Sequence, residues 1–234
     1  MRLEEFYLDE CVHFGAFRYG KGNYHPYETY VHRLCRGEPL PDIRAEFEEF
    51  LRGYRPKDLG DALGIELERR YPLWLYPWQS RLKILFAPRS SGWYRSPGAV
   101  PDIITSFSAR GISRARVVEE FGWLEQVYFS IVERGYRPDE YGYPRGRLLE
   151  CKDRGRVCLL LDGNHRASAL SAVGQKRLLV AIPDRKPITN ADIDSWHGVR
   201  TGVFTRGDAA RIFSAYFDGN SRNYSNIPRA AIVD

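Results

Sequence analysis

Val157-Cys-Leu-Leu-Leu-Asp-Gly-Asn-His-Arg-Ala-Ser-Ala-Leu-Ser-Ala-Val-Gly174 joins an apolar run to a run of helix formers through three turn residues. Val157 to Leu161 is a short continuous apolar run with a β-branched start, the pattern of a buried strand. Asp162-Gly163-Asn164 interrupts it with turn residues. Ala167 to Val173 then supplies good helix formers, with Leu170 and Val173 spaced to face a core, and Gly174 provides a left-handed stop. The local order is strand, tight turn, helix.

A helix start presents unpaired backbone N–H groups and the positive end of the peptide dipoles, so anions bind there. Gly163 lets the backbone approach a phosphate closely, and Arg166 adds a planar fork matched to phosphate oxygens. The amides of Gly163 and Asn164, together with His165 and Arg166, form the candidate phosphate cradle. His165 is a second donor or a proton carrier. Asp162 either holds a metal ion, with Mg²⁺ the natural choice beside phosphates, or caps the helix. The plainer alternative is structural throughout: Asp162 capping, His165 packing, Arg166 paired to a carboxylate.

The sequence DGNHRASALSAVG resembles the signature of the ParB/sulfiredoxin superfamily, in which a Gly-x-His-Arg or Gly-x-Arg-Arg turn opens a helix and cradles nucleotide phosphates. The nearest variant is that of the free serine kinases, Asp-Gly-His-His-Arg. Sulfiredoxin fits less well, since its reactive cysteine falls where this chain has Asn164. ParB proteins bind CTP through a related turn but continue into a helix-turn-helix DNA-binding domain, for which the tail after Ile182 is too short. The likeness runs from Glu119 to Ile182, and only the turn is specific. It implies ATP, ADP or CTP as the nucleotide, and a general base near the start of the preceding helix. By that carry-over Glu120, with Glu119 as the other choice, is the base. The His-Glu dipeptide of those kinases is absent, because Val118 precedes Glu119; without it, two glutamates in a first turn also serve simply to balance the helix dipole.

Around this centre the chain has 234 residues, 43% of them hydrophobic, enough for one sizeable domain with elaborations. The net charge of +5 comes from scattered arginine against 30 acidic residues, a surface suited to small anions and lacking the basic stripe of a DNA-binding protein. No stretch has the length of a membrane span and Met1-Arg-Leu-Glu-Glu has no signal-peptide core, so a cytoplasmic protein is expected. Cys11, Cys35, Cys151 and Cys158 show no metal-ligand spacing. They read as small apolar side chains, with a Cys151–Cys158 disulfide left open by the hairpin between them.

Residues 1–80 are rich in aromatics and read as mostly helical, with helices over Tyr27–Cys35, Ile43–Tyr54 and Leu59–Tyr71. Phe14 to Tyr27 is an ordered loop packed by its rings, and Pro72 to Gln79 an aromatic brace or a stacking platform. Residues 81–185 form the nucleotide-binding core. Within it Leu82–Phe86 is a strand, and Arg89, Ser90, Ser91 and Arg95 lie in a loop that could reach an anionic substrate. Val117–Arg134 is the best helix, its stripe made of Val118, Phe121, Leu124, Tyr128 and Ile131. Leu148–Cys151 pairs as a hairpin with the strand before Asp162, and Leu178–Ile182 is another buried strand. Residues 186–234 are a helical extension, with Thr205–Phe217 its amphipathic helix.

The fold class expected is α+β, a small mixed sheet with packed helices and helical elaborations at both ends. The function expected is nucleotide-dependent phosphoryl transfer to a small hydroxylated acceptor, an amino acid or a sugar. The alternatives are a ParB-like nucleotide- or DNA-dependent regulatory module without transferase activity, and a non-catalytic scaffold.

Overall fold

The computed structural model describes residues 1–20, 25–53, 56–73, 75–79, 114–183 and 186–220. Strands β1 (Arg2–Tyr7), β2 (Cys11–Val12), β3 (Arg145–Cys151), β4 (Gly155–Asp162), β5 (Arg177–Ile182) and β6 (Ile188–Thr189) form one mixed sheet. Its order is β1-β5-β3-β4-β2, with β6 lying against β3. β3 and β4 are an antiparallel hairpin that places Leu148 opposite Cys158 and closes at Cys151 and Gly155. β2 runs parallel to β4, and β1 antiparallel to β5. The chain is α+β.

The helices are α1 (Pro26–Cys35), α2 (Leu40–Gly53), α3 (Leu59–Leu63), α4 (Arg114–Arg134), α5 (Pro138–Tyr141), α6 (Asn164–Ala172), α7 (His197–Arg200) and α8 (Arg206–Asp218). The continuous apolar run in β4 has a simple cause, since both faces of the strand are covered. Val157 and Leu159 pack with Leu149 and Val12 against Ile212, Phe213 and Tyr216 of α8. Cys158 and Leu160 face the other way, onto Ala167 and Leu170 of α6. Ala169 of the same helix meets an outer helical layer built from Tyr27, Tyr30, Phe47, Phe121 and Leu124. α6 therefore lies between sheet and helices, and its alanines let both approach closely.

Several expectations are corrected. The helix expected over Leu59–Tyr71 ends at Leu63, because Gly64 turns left-handed (φ 71°) and its amide closes onto Asp61 and Gly60. The N-terminal region, expected to be mostly helical, also contributes β1 and β2 to the sheet; among the six residues of β1 only Phe6 is buried, so no alternating apolar pattern marks it. Val118 and Val173 are exposed, and Val117 takes the core place expected of Val118. All four cysteines are free, and the one opposite Cys158 is Cys11, not Cys151. The strand expected at Leu82–Phe86 lies outside the described residues. No helix among the described residues is long and apolar enough to cross a membrane.

The C-terminal helix is tied to the segment after α3 by a buried carboxylate. Asp208, fully buried, accepts from the amides of Glu68 (2.8 Å) and Arg69 (3.3 Å) and from the Tyr71 hydroxyl (2.7 Å). Rings complete the brace: Trp78 packs on Trp196, Phe213 and Tyr216. Burial and the bond to Asp208 push the Tyr71 phenol up to about 12 from an ordinary 10.0. The folded state thus holds this proton more tightly than the unfolded chain, so the contribution is whole below pH 10 and is lost as pH rises toward 12. Tyr71→Phe is expected to cost about 2 kcal/mol at neutral pH. In thermal melts the gap between wild type and variant should stay constant below pH 10 and narrow between pH 10 and 12; a gap that persists to pH 12 would refute this origin.

Candidate functional site

The turn between β4 and α6 is built around Gly163. This residue is the helix N-cap, with φ 89°, and a Cβ here would stand 2.7 Å from the Pro144 Cβ. Both the left-handed backbone and the close approach of Pro144 require glycine. Asp162 does not cap the helix as one reading expected; no side chain does. Helix hydrogen bonding begins with the Ala167 amide donating to the Gly163 carbonyl (2.9 Å), and the amides of Asn164 and Arg166 have no acceptor among the described residues. Gly163→Ala is expected to destabilise the protein by about 3 kcal/mol, from backbone strain plus the clash. A denaturant melt measures this, and a loss under about 1 kcal/mol would mean that the turn is not held as described.

Each side chain of the turn has a separate place. Asn164 is buried, its Oδ1 accepting from the Tyr19 hydroxyl at 2.8 Å. His165 reaches back to α4, where its Nε2 lies 2.7 Å from Oε1 of Glu120. The same oxygen accepts from the Tyr27 hydroxyl (2.7 Å), and Arg116, one helical turn earlier, stands 3.3 Å from Oε2. Glu120 is wholly buried while His165 keeps 18% of its side chain exposed. The histidine therefore links a buried acid to the surface. With Nε2 turned to the carboxylate, the neutral ring carries its proton there.

Arg166 and Arg145 make the cationic part of the turn. Arg166 donates from Nη1 to the Gly142 carbonyl, and its Nη2 is 3.6 Å from Oδ2 of Asp162. Arg145, at the start of β3, is 3.7 Å from that same oxygen. Asp162 is nearly half exposed, with two guanidinium groups beside it. Next to Arg166 stands Tyr136, whose hydroxyl is buried with no hydrogen-bond partner among the described residues. Burial pushes this phenol up and the Arg166 charge pulls it back. Among the described residues no three His, Cys, Asp or Glu side chains gather as a metal site. Asp162 offers a single carboxylate, the protein share usual for Mg²⁺ held mainly by phosphates and water.

Comparison of the chain with family models, with characterised proteins and with solved structures finds no match.

Of the residues singled out from sequence, Asp162, Gly163, Asn164, His165, Arg166 and Glu120 come together. Glu119 does not: it is exposed on the outer side of α4, 3.5 Å from Arg116. Arg89, Ser90, Ser91 and Arg95 lie outside the described residues. His165 cannot give Nε2 to a phosphate, since Glu120 takes it. Tyr27, Tyr19 and Arg116 were not foreseen. Arg116 had a readable signal, because Arg-x-x-x-Glu in a helix puts the two side chains on one face.

Proposed function

We propose that this chain transfers a phosphoryl group from a nucleotide to a small hydroxylated acceptor, an amino acid or a sugar, as the likeness to the free serine kinases implies. The observation that carries the reading is the His165–Glu120 contact of 2.7 Å, joining the start of α6 to a buried acid. Phosphoryl transfer needs mainly positioning, charge neutralisation and an acceptor for one proton. Arg166, Arg145 and the open amides of Asn164 and Arg166 supply positive potential for the phosphates. Asp162 would hold Mg²⁺, which supplies charge neutralisation when bound.

The acceptor's O–H gives its proton to Nδ1 of His165 while its oxygen bonds to the terminal phosphorus, and the bond from that phosphorus to the nucleotide's bridging oxygen breaks. ATP leaves as ADP, or ADP as AMP. Glu120 steadies the imidazolium formed, with Tyr27 and Arg116 holding the carboxylate in place. The resemblance names Glu120 itself as base. Its full burial favours the indirect role, in which the acceptor reaches it only through His165.

The test is incubation with ATP, ADP or CTP, Mg²⁺ and a panel of hydroxylated amino acids and sugars, with products read by mass spectrometry. A phosphorylated acceptor that disappears in Arg166→Ala is the expected result. Nucleotide binding or hydrolysis with no acceptor phosphorylated would favour a ParB-like switch, and no binding at all a scaffold.

A further inference from the structure

The sheet brings two thiols into contact. Cys11 of β2 and Cys158 of β4 are register partners on neighbouring parallel strands. Register partners carry their side chains on one face, and adjacent strands run about 4.8 Å apart, inside the Cα separation of roughly 4.4–6.8 Å that a disulfide spans. Both side chains are fully buried, in the apolar cluster that also holds Leu160 of β4 and Ala167 and Leu170 of α6. Within it the two thiols are hydrogen-bonded to each other. The strand on the other side of Cys158 is shaped to its sulfur. A Cβ on Gly146 of β3 would stand 2.4 Å from the Cys158 Sγ, so any other residue there would push this sulfur from its place.

We infer that Cys11 and Cys158 are a dithiol–disulfide couple, closed by a peroxide and reopened by a small thiol, which in its oxidised form clips the edge strand β2 to β4. One sulfur attacks a peroxide oxygen, the O–O bond breaks, and a sulfenic acid and one water result. The second sulfur attacks the sulfenic sulfur, the S–S bond forms, and the sulfenic oxygen leaves as a second water. Two thiols have then lost two electrons and two protons, and hydrogen peroxide has become two waters. Reduction runs through a mixed disulfide with the incoming thiol, which ends as its own disulfide.

The length of β2 sets the rate. The strand has two residues and ends the sheet, so it opens at lower cost than the long strands inside. While it is closed, the bond to Cys11 and burial hold the Cys158 thiol well above its ordinary range, and its thiolate is scarce. Opening brings Cys11 to solvent as the sulfur oxidised first, and reclosing sets Cys158 against it. The couple is therefore slow to oxidise, and the closed loop runs through most of the chain. Closing so long a loop restricts the unfolded state and stabilises the fold.

The test uses the full chain carrying Cys35→Ser and Cys151→Ser, which removes the exposed and the half-buried thiol and leaves the two buried ones. The folded protein is held in millimolar hydrogen peroxide, quenched with catalase, unfolded, alkylated and digested, and its peptides are weighed. The expected result is the Cys11 and Cys158 peptides joined, lighter by two hydrogens and carrying no alkyl group, with both labelled after dithiothreitol. The oxidised chain should melt about 5 °C or more above the reduced one. Adding Cys11→Ser should abolish both the joined peptide and the rise. Both thiols still open to alkylation after overnight exposure, sulfinic acid in place of the disulfide, a bridge between two chains, or an oxidised chain that melts no higher than the reduced one would overturn the proposal.

Discussion

Glutamine in place of Glu120 is expected to lower turnover about a thousandfold while nucleotide affinity stays within about threefold. The side chain keeps its volume but loses the charge that fixes the His165 ring and stabilises it when protonated. It touches His165, Tyr27 and Arg116, whereas the Arg166 and Arg145 guanidinium groups stand beside Asp162, so nucleotide affinity is expected to change little. Stability should fall too, by about 2 kcal/mol, because the ion pair of Arg116 with the buried carboxylate is lost while its pair with Glu119 remains. Activity is therefore read well below the variant's melting temperature. A variant that retains a tenth or more of wild-type turnover would remove the dyad from the chemistry, whatever it did to stability.

Arg166→Ala is expected to act in the complementary way. Losing a charge-assisted fork beside the helix start should weaken nucleotide binding about a hundredfold, near 3 kcal/mol. Arg166→Lys keeps the charge but not the fork that spans the Gly142 carbonyl and the ligand, and should lie between the two. Binding is measured by calorimetry, separately from turnover. Equal affinity in wild type and Arg166→Ala would place the phosphates elsewhere.

How far the sequence carried these assignments depends on where the determining contacts lie. β4, its turn and α6 were legible because each boundary has local chemistry: an apolar run, then Asp-Gly-Asn, then helix formers closed by Gly174. The same holds for α4 and α8, whose apolar spacing repeats over several turns. β1 was not legible, since an edge strand with one buried residue in six lacks a period. At the site, Glu120 was reached only through a family likeness, which put it slightly ahead of Glu119. Helix geometry turns Glu120 into the core and leaves its neighbour Glu119 exposed. Tyr27 read as one more ring on the apolar face of α1, and that ring is indeed buried. Its hydroxyl matters because α4 passes 93 residues later in the chain, a contact no local pattern encodes.

Whether the turn at Asp162–Arg166 receives the phosphates of a nucleotide is read by isothermal titration of the intact chain with ATP, ADP and CTP, each with and without Mg²⁺. Saturable one-to-one binding of at least one of them, strengthened by Mg²⁺ and lost in Arg166→Ala, is the expected result. Absence of heat with all three at millimolar concentration, or binding untouched by Arg166→Ala, would contradict it.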